Sequence, residues 1–157
     1  MKKISDLFDL FYGTNLELNR LIQHKKRQTN SVNFVSRTSK NNGVSALVEL
    51  VDNITALPAG LITVAVGGSV MESFVQTEPF YTGRDVYCLN PKQILSFNEK
   101  IFYCICIRKN KYRYSYGRQA NRTIKDILIP DTPPEWIKNI TTISLEFQSE
   151  TGDLLIK

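Results

Sequence analysis

The residue types best suited to chemistry lie in the run Arg108-Lys109-Asn110-Lys111-Tyr112-Arg113-Tyr114-Ser115-Tyr116-Gly117-Arg118-Gln119-Ala120-Asn121-Arg122, which interleaves cations with three tyrosines and three side-chain amides. Lys and Arg neutralise phosphates, while Arg, Asn and Gln can make paired hydrogen bonds to base edges in the major groove. Tyr can bond a phosphate or stack on a base. The plain alternative for the same residues is a solvated helix end. A second polar loop, Arg37-Thr38-Ser39-Lys40-Asn41-Asn42-Gly43, carries two cations and two amides, and by itself reads as a surface turn. Arg84 sits in an acidic stretch, where pairing with Asp85 or another carboxylate competes with an outward role.

Other chemistries find little support. His24 is the single histidine and lies beside Lys25 and Lys26, so no Ser-His or Cys-His pair is expected. The cysteines are Cys88, Cys104 and Cys106, an odd count that makes no disulfide framework. Cys104-Ile105-Cys106 has zinc half-site spacing but lacks further ligands, and in its apolar run it reads as buried thiols. Gly67-Gly68-Ser69 lacks the lysine of a phosphate-binding loop and reads as a tight turn after a strand. Asp131-Thr132-Pro133-Pro134-Glu135-Trp136 is superficially similar to the D-P-P-Y loop of DNA amino-methyltransferases. Its spacing differs and no glycine-rich cofactor motif accompanies it, so no S-adenosylmethionine site is expected. The enzymatic alternative is a Mg²⁺-dependent endonuclease pairing Asp131 with Glu146, although Gln148 stands where such sites place a Lys. The expectation is therefore no catalytic residue, no metal and no cofactor.

These loops need a scaffold, and the composition supports one. The chain has 157 residues, 42% hydrophobic and 22% charged, enough for one core. The net charge of +5 is distributed unevenly: residues 1–40 sum to +5, 41–99 to −4, 100–126 to +7 and 127–157 to −3. Such alternation points to a focused electrostatic face rather than a generally basic surface. The start has no apolar run of the secretory type, and a reduced, cytoplasmic protein is expected.

Ser5 is expected to cap a short helix that buries Phe8 and breaks at Gly13-Thr14-Asn15, with Leu16, Leu18 and Leu21 resuming it. Strands are expected over 32–36, 47–51, 61–66, 74–75, 86–89 and 141–147, with Gly83-Arg84-Asp85 as a turn. Ser96 and Glu99 form a capping-box pattern ahead of a helix running to about Tyr112. A short helix or turn follows over 123–128, and Pro133-Pro134 breaks regular structure. The class is α/β or mixed α+β, a single domain with one core.

Four stretches carry a resemblance: Tyr12-Gly13-Thr14-Asn15-Leu16-Glu17-Leu18, Asn33 to Ser45, Gly83-Arg84-Asp85-Val86, and Asn110 to Asn121 with Leu128-Ile129-Pro130 after it. Together they resemble the target-recognition domains of specificity subunits in type I and related type IIB restriction–modification systems, in order over about residues 4–138. The resemblance implies a single compact domain with a twisted, largely antiparallel or mixed sheet flanked by helices, residues 139–157 forming a C-terminal extension. It implies loops that enter the major groove of double-stranded DNA and read half of a bipartite target, with no catalysis in the domain. Its implied partners are methyltransferase and restriction subunits or a second recognition domain, and no membrane. A full specificity subunit holds two such domains joined by long helices, so this chain is expected to be a lone one.

On that footing phosphate contacts are expected from Lys109, Lys111, Arg113 and Arg122. Base contacts are expected from Arg37, Asn41, Asn42, Arg118, Gln119 and Asn121, with Lys40, Arg84 and Tyr116 also facing DNA. Besides the nuclease, the alternative is a protein-binding regulator of a restriction complex.

Overall fold

The structure, a computed structural model, describes residues 1–114 and 120–140. In chain order its elements are β1 (Lys2–Lys3), α1 (Ile4–Leu7), β2 (Phe8–Tyr12), β3 (Gln23–His24), β4 (Ser31–Val35), β5 (Val44–Glu49), β6 (Ile62–Ala65), β7 (Ser73–Val75), β8 (Phe80–Thr82), β9 (Val86–Pro91), α2 (Phe97–Arg108), β10 (Leu128–Ile129) and α3 (Glu135–Lys138). Single 3₁₀ turns lie at Leu18–Arg20, Asn41–Gly43, Lys111–Tyr114 and Ile124–Asp126. The expected mixed α+β class holds, and the sheet is divided in two. One sheet has the order β2-β9-β6-β7 with antiparallel neighbours, and the other β3-β5-β4-β8 with a parallel β4–β8 pair. A small antiparallel pair joins β1 to β10.

Side-chain alternation explains the layering. In β9, Tyr87 and Leu89 face a core shared with α2, while Val86 and Cys88 face a core shared with Val35 and Phe80 of the second sheet. The first sheet is thus covered on both faces, which is why Leu61 to Val66 is buried without a break and apolar but for Thr63. The second sheet's other face, with Val32, Phe34, Val48 and Tyr81, is covered by Leu16, Leu18 and Leu21.

Helix α2 follows its sequence signal at the start and departs from it at the end. Ser96 Oγ accepts from the Glu99 backbone N–H, and Glu99 Oε1 accepts from that of Ser96, satisfying two N-terminal donors. The helix stops at Arg108 instead of about Tyr112. Asn110 causes this: its side-chain amide donates to the Cys106 carbonyl at 3.1 Å, competing with the helical ladder, and a 3₁₀ turn follows.

Two other expectations need correction. The first helix is a single turn with Lys3, not Ser5, at its N-cap, and Phe8 opens β2. Pairing with β9 and an edge-on contact of Phe8 with Tyr103 (5.3 Å between ring centres) outweigh helix propensity. Leu16, Leu18 and Leu21 belong to an irregular segment with one 3₁₀ turn, held by a Leu16 N–H bond to the Thr82 carbonyl at 2.9 Å. The expected strand over 141–147 lies outside the described residues.

Candidate nucleic-acid interface

The two polar loops meet on the hairpin formed by β6 and β7. Its connection, residues 66–72, needs left-handed backbone at Gly68 (φ 61°) and Met71 (φ 71°), and is closed by the Met71 N–H on the Ala65 carbonyl at 2.8 Å. The turn expected at Gly67-Gly68-Ser69 is therefore present. From the 37–43 loop, the Asn42 amide donates to the Val75 carbonyl at 3.0 Å, and Arg37 packs against Gly68 so closely that a Cβ there would lie 2.9 Å from the Arg37 Cβ. From the basic run, the Arg108 guanidinium donates to the Ser73 carbonyl (Nε at 3.1 Å) and stacks over Phe74 at 4.9 Å. Lys111 Nζ is 2.9 Å from Glu72 Oε1, and the Ala120 N–H donates to the Val66 carbonyl at 2.9 Å.

The Val66 N–H in turn donates to the Asp85 carbonyl at 2.8 Å, which brings the third resembling stretch to the same place. The Asp85 carboxylate is the local anchor: Oδ2 lies 3.1 Å from Arg37 Nη1 and 3.5 Å from Arg84 Nε, and Oδ1 accepts from the Tyr12 hydroxyl. The Tyr12 hydroxyl oxygen accepts the Asp85 backbone N–H. Beside this cluster lies an open groove of about 950 Å³ whose walls include Asn15, Glu17, Ser36, Arg37, Ser45 and Arg84.

The expected site residues differ in how free they are. Arg37 is one-third exposed and paired, whereas Arg84 is mostly exposed and paired to the same carboxylate. Lys40 is exposed. Asn41 and Asn42, both at positive φ, use their amides on the Val44 and Val75 carbonyls and thereby shape the loop. Lys109, Asn121 and Arg122 are exposed, with no ion pair among the described residues. Arg113 is exposed, bonds Asn110 Oδ1 at 3.0 Å and covers the Tyr112 ring at 5.3 Å. Tyr116, Arg118 and Gln119 lie outside the described residues.

The anchors Glu72, Asp85 and Tyr12 were not among the expected site residues. Asp85 was legible only as a possible partner of Arg84; Glu72 carries no local signal, because its partners are 36 and 39 positions away.

Among the described residues, the groups considered for catalysis are engaged in other contacts. Asp131 Oδ1 lies 2.7 Å from the Met1 amine, whose hydrogen bond and charge hold its carboxyl below the usual range. Glu146 lies outside the described residues, and among those described no group of three His, Cys, Asp or Glu could hold a metal. A Ser-His contact that was not expected does occur. Ser31 Oγ is 2.7 Å from His24 Nδ1, but it also accepts the Gln28 N–H at 3.0 Å, and His24 Nε2 is 3.9 Å from Glu49. This chain of contacts ties β3 to the turn before β4. Burial pushes the Cys88 and Cys104 thiols up to about 12, so they stay protonated and inert at neutral pH.

Residues 1–134 match the family described as the type I restriction modification DNA specificity domain. The chain belongs to this family. Three solved structures have a similar fold. The S subunit of the type I restriction–modification system of M. genitalium superposes with a TM-score of 0.55 at 21% identity, over 83% of this chain and 33% of that one. The HsdS subunit of Thermoanaerobacter tengcongensis gives 0.61 at 14%, over 87% and 34%. A chain from a type I system described for its complex assembly and conformational transition gives 0.62 at 13%, over 88% and 35%. The specificity domain thus spans about a third of the length of the structures it matches. No curated protein matches it. The family is a recognition module, not a catalytic one. Among the described residues no helix is long and apolar enough to cross a membrane.

Proposed function

We propose that this specificity domain, a single domain over residues 1–157 with its core at about 4–138, binds double-stranded DNA sequence-specifically and reads one half-site of a bipartite target. The observation that carries the reading is the convergence of two loops, distant in sequence and both rich in cations and amides, on the β6–β7 hairpin. Exposed Lys40, Lys109, Arg113 and Arg122 are suited to phosphates. Arg37, with Arg118, Gln119 and Asn121 of the adjoining loop, supplies donors suited to base edges. Its proposed partners are the methyltransferase and restriction subunits of a type I system, or a second recognition domain, in the cytoplasm.

Selection of bound duplexes from a random pool tests this directly. The expected result is enrichment of one short motif. Affinity for that motif should fall linearly on a log–log plot against salt, as counterion release requires. Failure to bind any duplex would overturn the reading in favour of a protein-binding regulator. Binding without enrichment of a motif would leave DNA affinity but remove sequence recognition.

A further inference from the structure

We propose that Arg37 is a guanine-reading residue and that Asp85 positions it; this rests on the DNA-recognition reading above and names the base that the site takes. The Asp85 carboxylate holds Arg37 Nη1 at 3.1 Å. Among the described residues the other edge of the guanidinium, Nε and Nη2, has no partner, which leaves two parallel N–H donors. That spacing matches the O6 and N7 acceptors that guanine presents in the major groove. The side chain is only one-third exposed and lies beside an open groove with Ser36, Ser45 and Asn15 in its walls.

Three features favour a base over a phosphate. The carboxylate 3.1 Å away cancels most of the charge attraction Arg37 could offer a phosphate and would itself repel one. Arg84 shares that carboxylate but is 72% exposed, so the nearby phosphate contact falls to it. The fork is also fixed in advance. Gly68, at φ 61°, brings its backbone so near that a Cβ would sit 2.9 Å from the Arg37 Cβ, and a Cβ on Gly67 would sit 3.0 Å from Asp85 Oδ2 and 3.3 Å from Arg37 Nη1. Two adjacent glycines thus make room for the ion pair. A guanidinium immobilised before binding loses less entropy when it docks and distinguishes bases by geometry.

The experiment takes the motif selected by the full chain and replaces each guanine in turn by 7-deazaguanine, which lacks the N7 acceptor. One guanine is expected to weaken wild-type binding about tenfold when replaced. Arg37→Gln should lose about 10- to 100-fold of discrimination at that base pair, and become insensitive to the 7-deaza replacement, while preferences elsewhere in the motif persist. Asp85→Asn should reduce discrimination at the same base pair while binding unrelated duplexes as tightly as wild type or more so. If Arg37→Gln does not fold, as judged by circular dichroism, the Asp85→Asn comparison decides. Equal weakening on all duplexes, or no dependence on N7 at any guanine, overturns the assignment of Arg37 and leaves DNA recognition standing. Failure of the wild type to bind any duplex overturns both.

Discussion

Neighbouring cations in one basic run stand in opposite surroundings. Arg108 and Lys109 contribute equally to the +7 of residues 100–126, yet Arg108 is 13% exposed and Lys109 projects into solvent. Arg108 bonds the Ser73 carbonyl, lies 3.8 Å from Glu72 and covers Phe74, so it fastens α2 to β7. Arg108→Met is expected to cost about 2–4 kcal/mol, because it takes the guanidinium donor from the Ser73 carbonyl and one of its two cations from Glu72. Lys109→Ala should stay within about 0.5 kcal/mol of wild type and weaken binding to all duplexes alike. Urea unfolding and duplex titration of both variants separate the two roles, and comparable stability losses would refute the assignment. The distinction was present in the sequence. Arg108 stands four residues after Cys104 and three after Ile105, on the buried face of the helix, where charge counting alone does not look. What spacing could not supply was Glu72, because ion pairing across 36 positions is set by the strand register and leaves no mark in local composition.

At the level of elements, the sequence is clear where local forces decide and misleading where pairing decides. The Ser96/Glu99 capping box is a local device and placed the start of α2. Asn110 ends the helix by an equally local bond, but an asparagine in a polar run is a weak stop signal beside the cations around it. Strand β2 reads as helix in the local sequence because Phe8 to Tyr12 finds its partner at residues 87–91, far along the chain. Gly13, just after β2, was legible as a break, but the reason for a glycine is tertiary. A Cβ there would meet Thr82 Oγ1 at 2.0 Å and Thr82 Cβ at 2.8 Å, where the end of β8 crosses beneath it. The Thr82 side chain is not free to yield, since Oγ1 accepts the Asn15 N–H while Thr14 Oγ1 accepts the Thr82 N–H. Gly13→Ala should therefore force these two stretches apart and destabilise the protein by about 1–3 kcal/mol, the usual cost of overpacking. Because Arg84 and Asp85 lie two and three residues after Thr82, DNA discrimination should weaken along with the melting temperature. A variant that melts like wild type would show that the crossing is looser than the contacts imply.

Across the whole molecule, the alternating charge blocks pair with one another: Glu72 and Asp85, from the −4 block, pair with Lys111, Arg108 and Arg37 from the basic ones, and Asp85 also with Arg84 of its own block. The domain therefore presents selected cations and spends others on cohesion. Its cores are joined by apolar layers that include two buried thiols, Cys88 between the sheets and Cys104 between sheet and α2. This gives stability a defined response to alkali. Burial raises both thiols from 9.0 to about 12. The folded protein keeps these protons at pH values where the unfolded chain releases them. Their contribution is therefore fully present below about pH 9 and is lost as pH rises toward 12. Within that window each thiol should lower the unfolding free energy by about 1.4 kcal/mol per pH unit. Lysine deprotonation also acts at high pH, so the diagnostic comparison is between wild type and Cys104→Ala. The variant starts from a lower plateau because a packed sulfur is gone, but its stability should fall less steeply above about pH 9. Urea midpoints measured from about pH 7 to 11 read the two slopes. Identical slopes would mean that Cys104 reaches solvent, and the sealed contact between α2 and the first sheet would have to be redrawn.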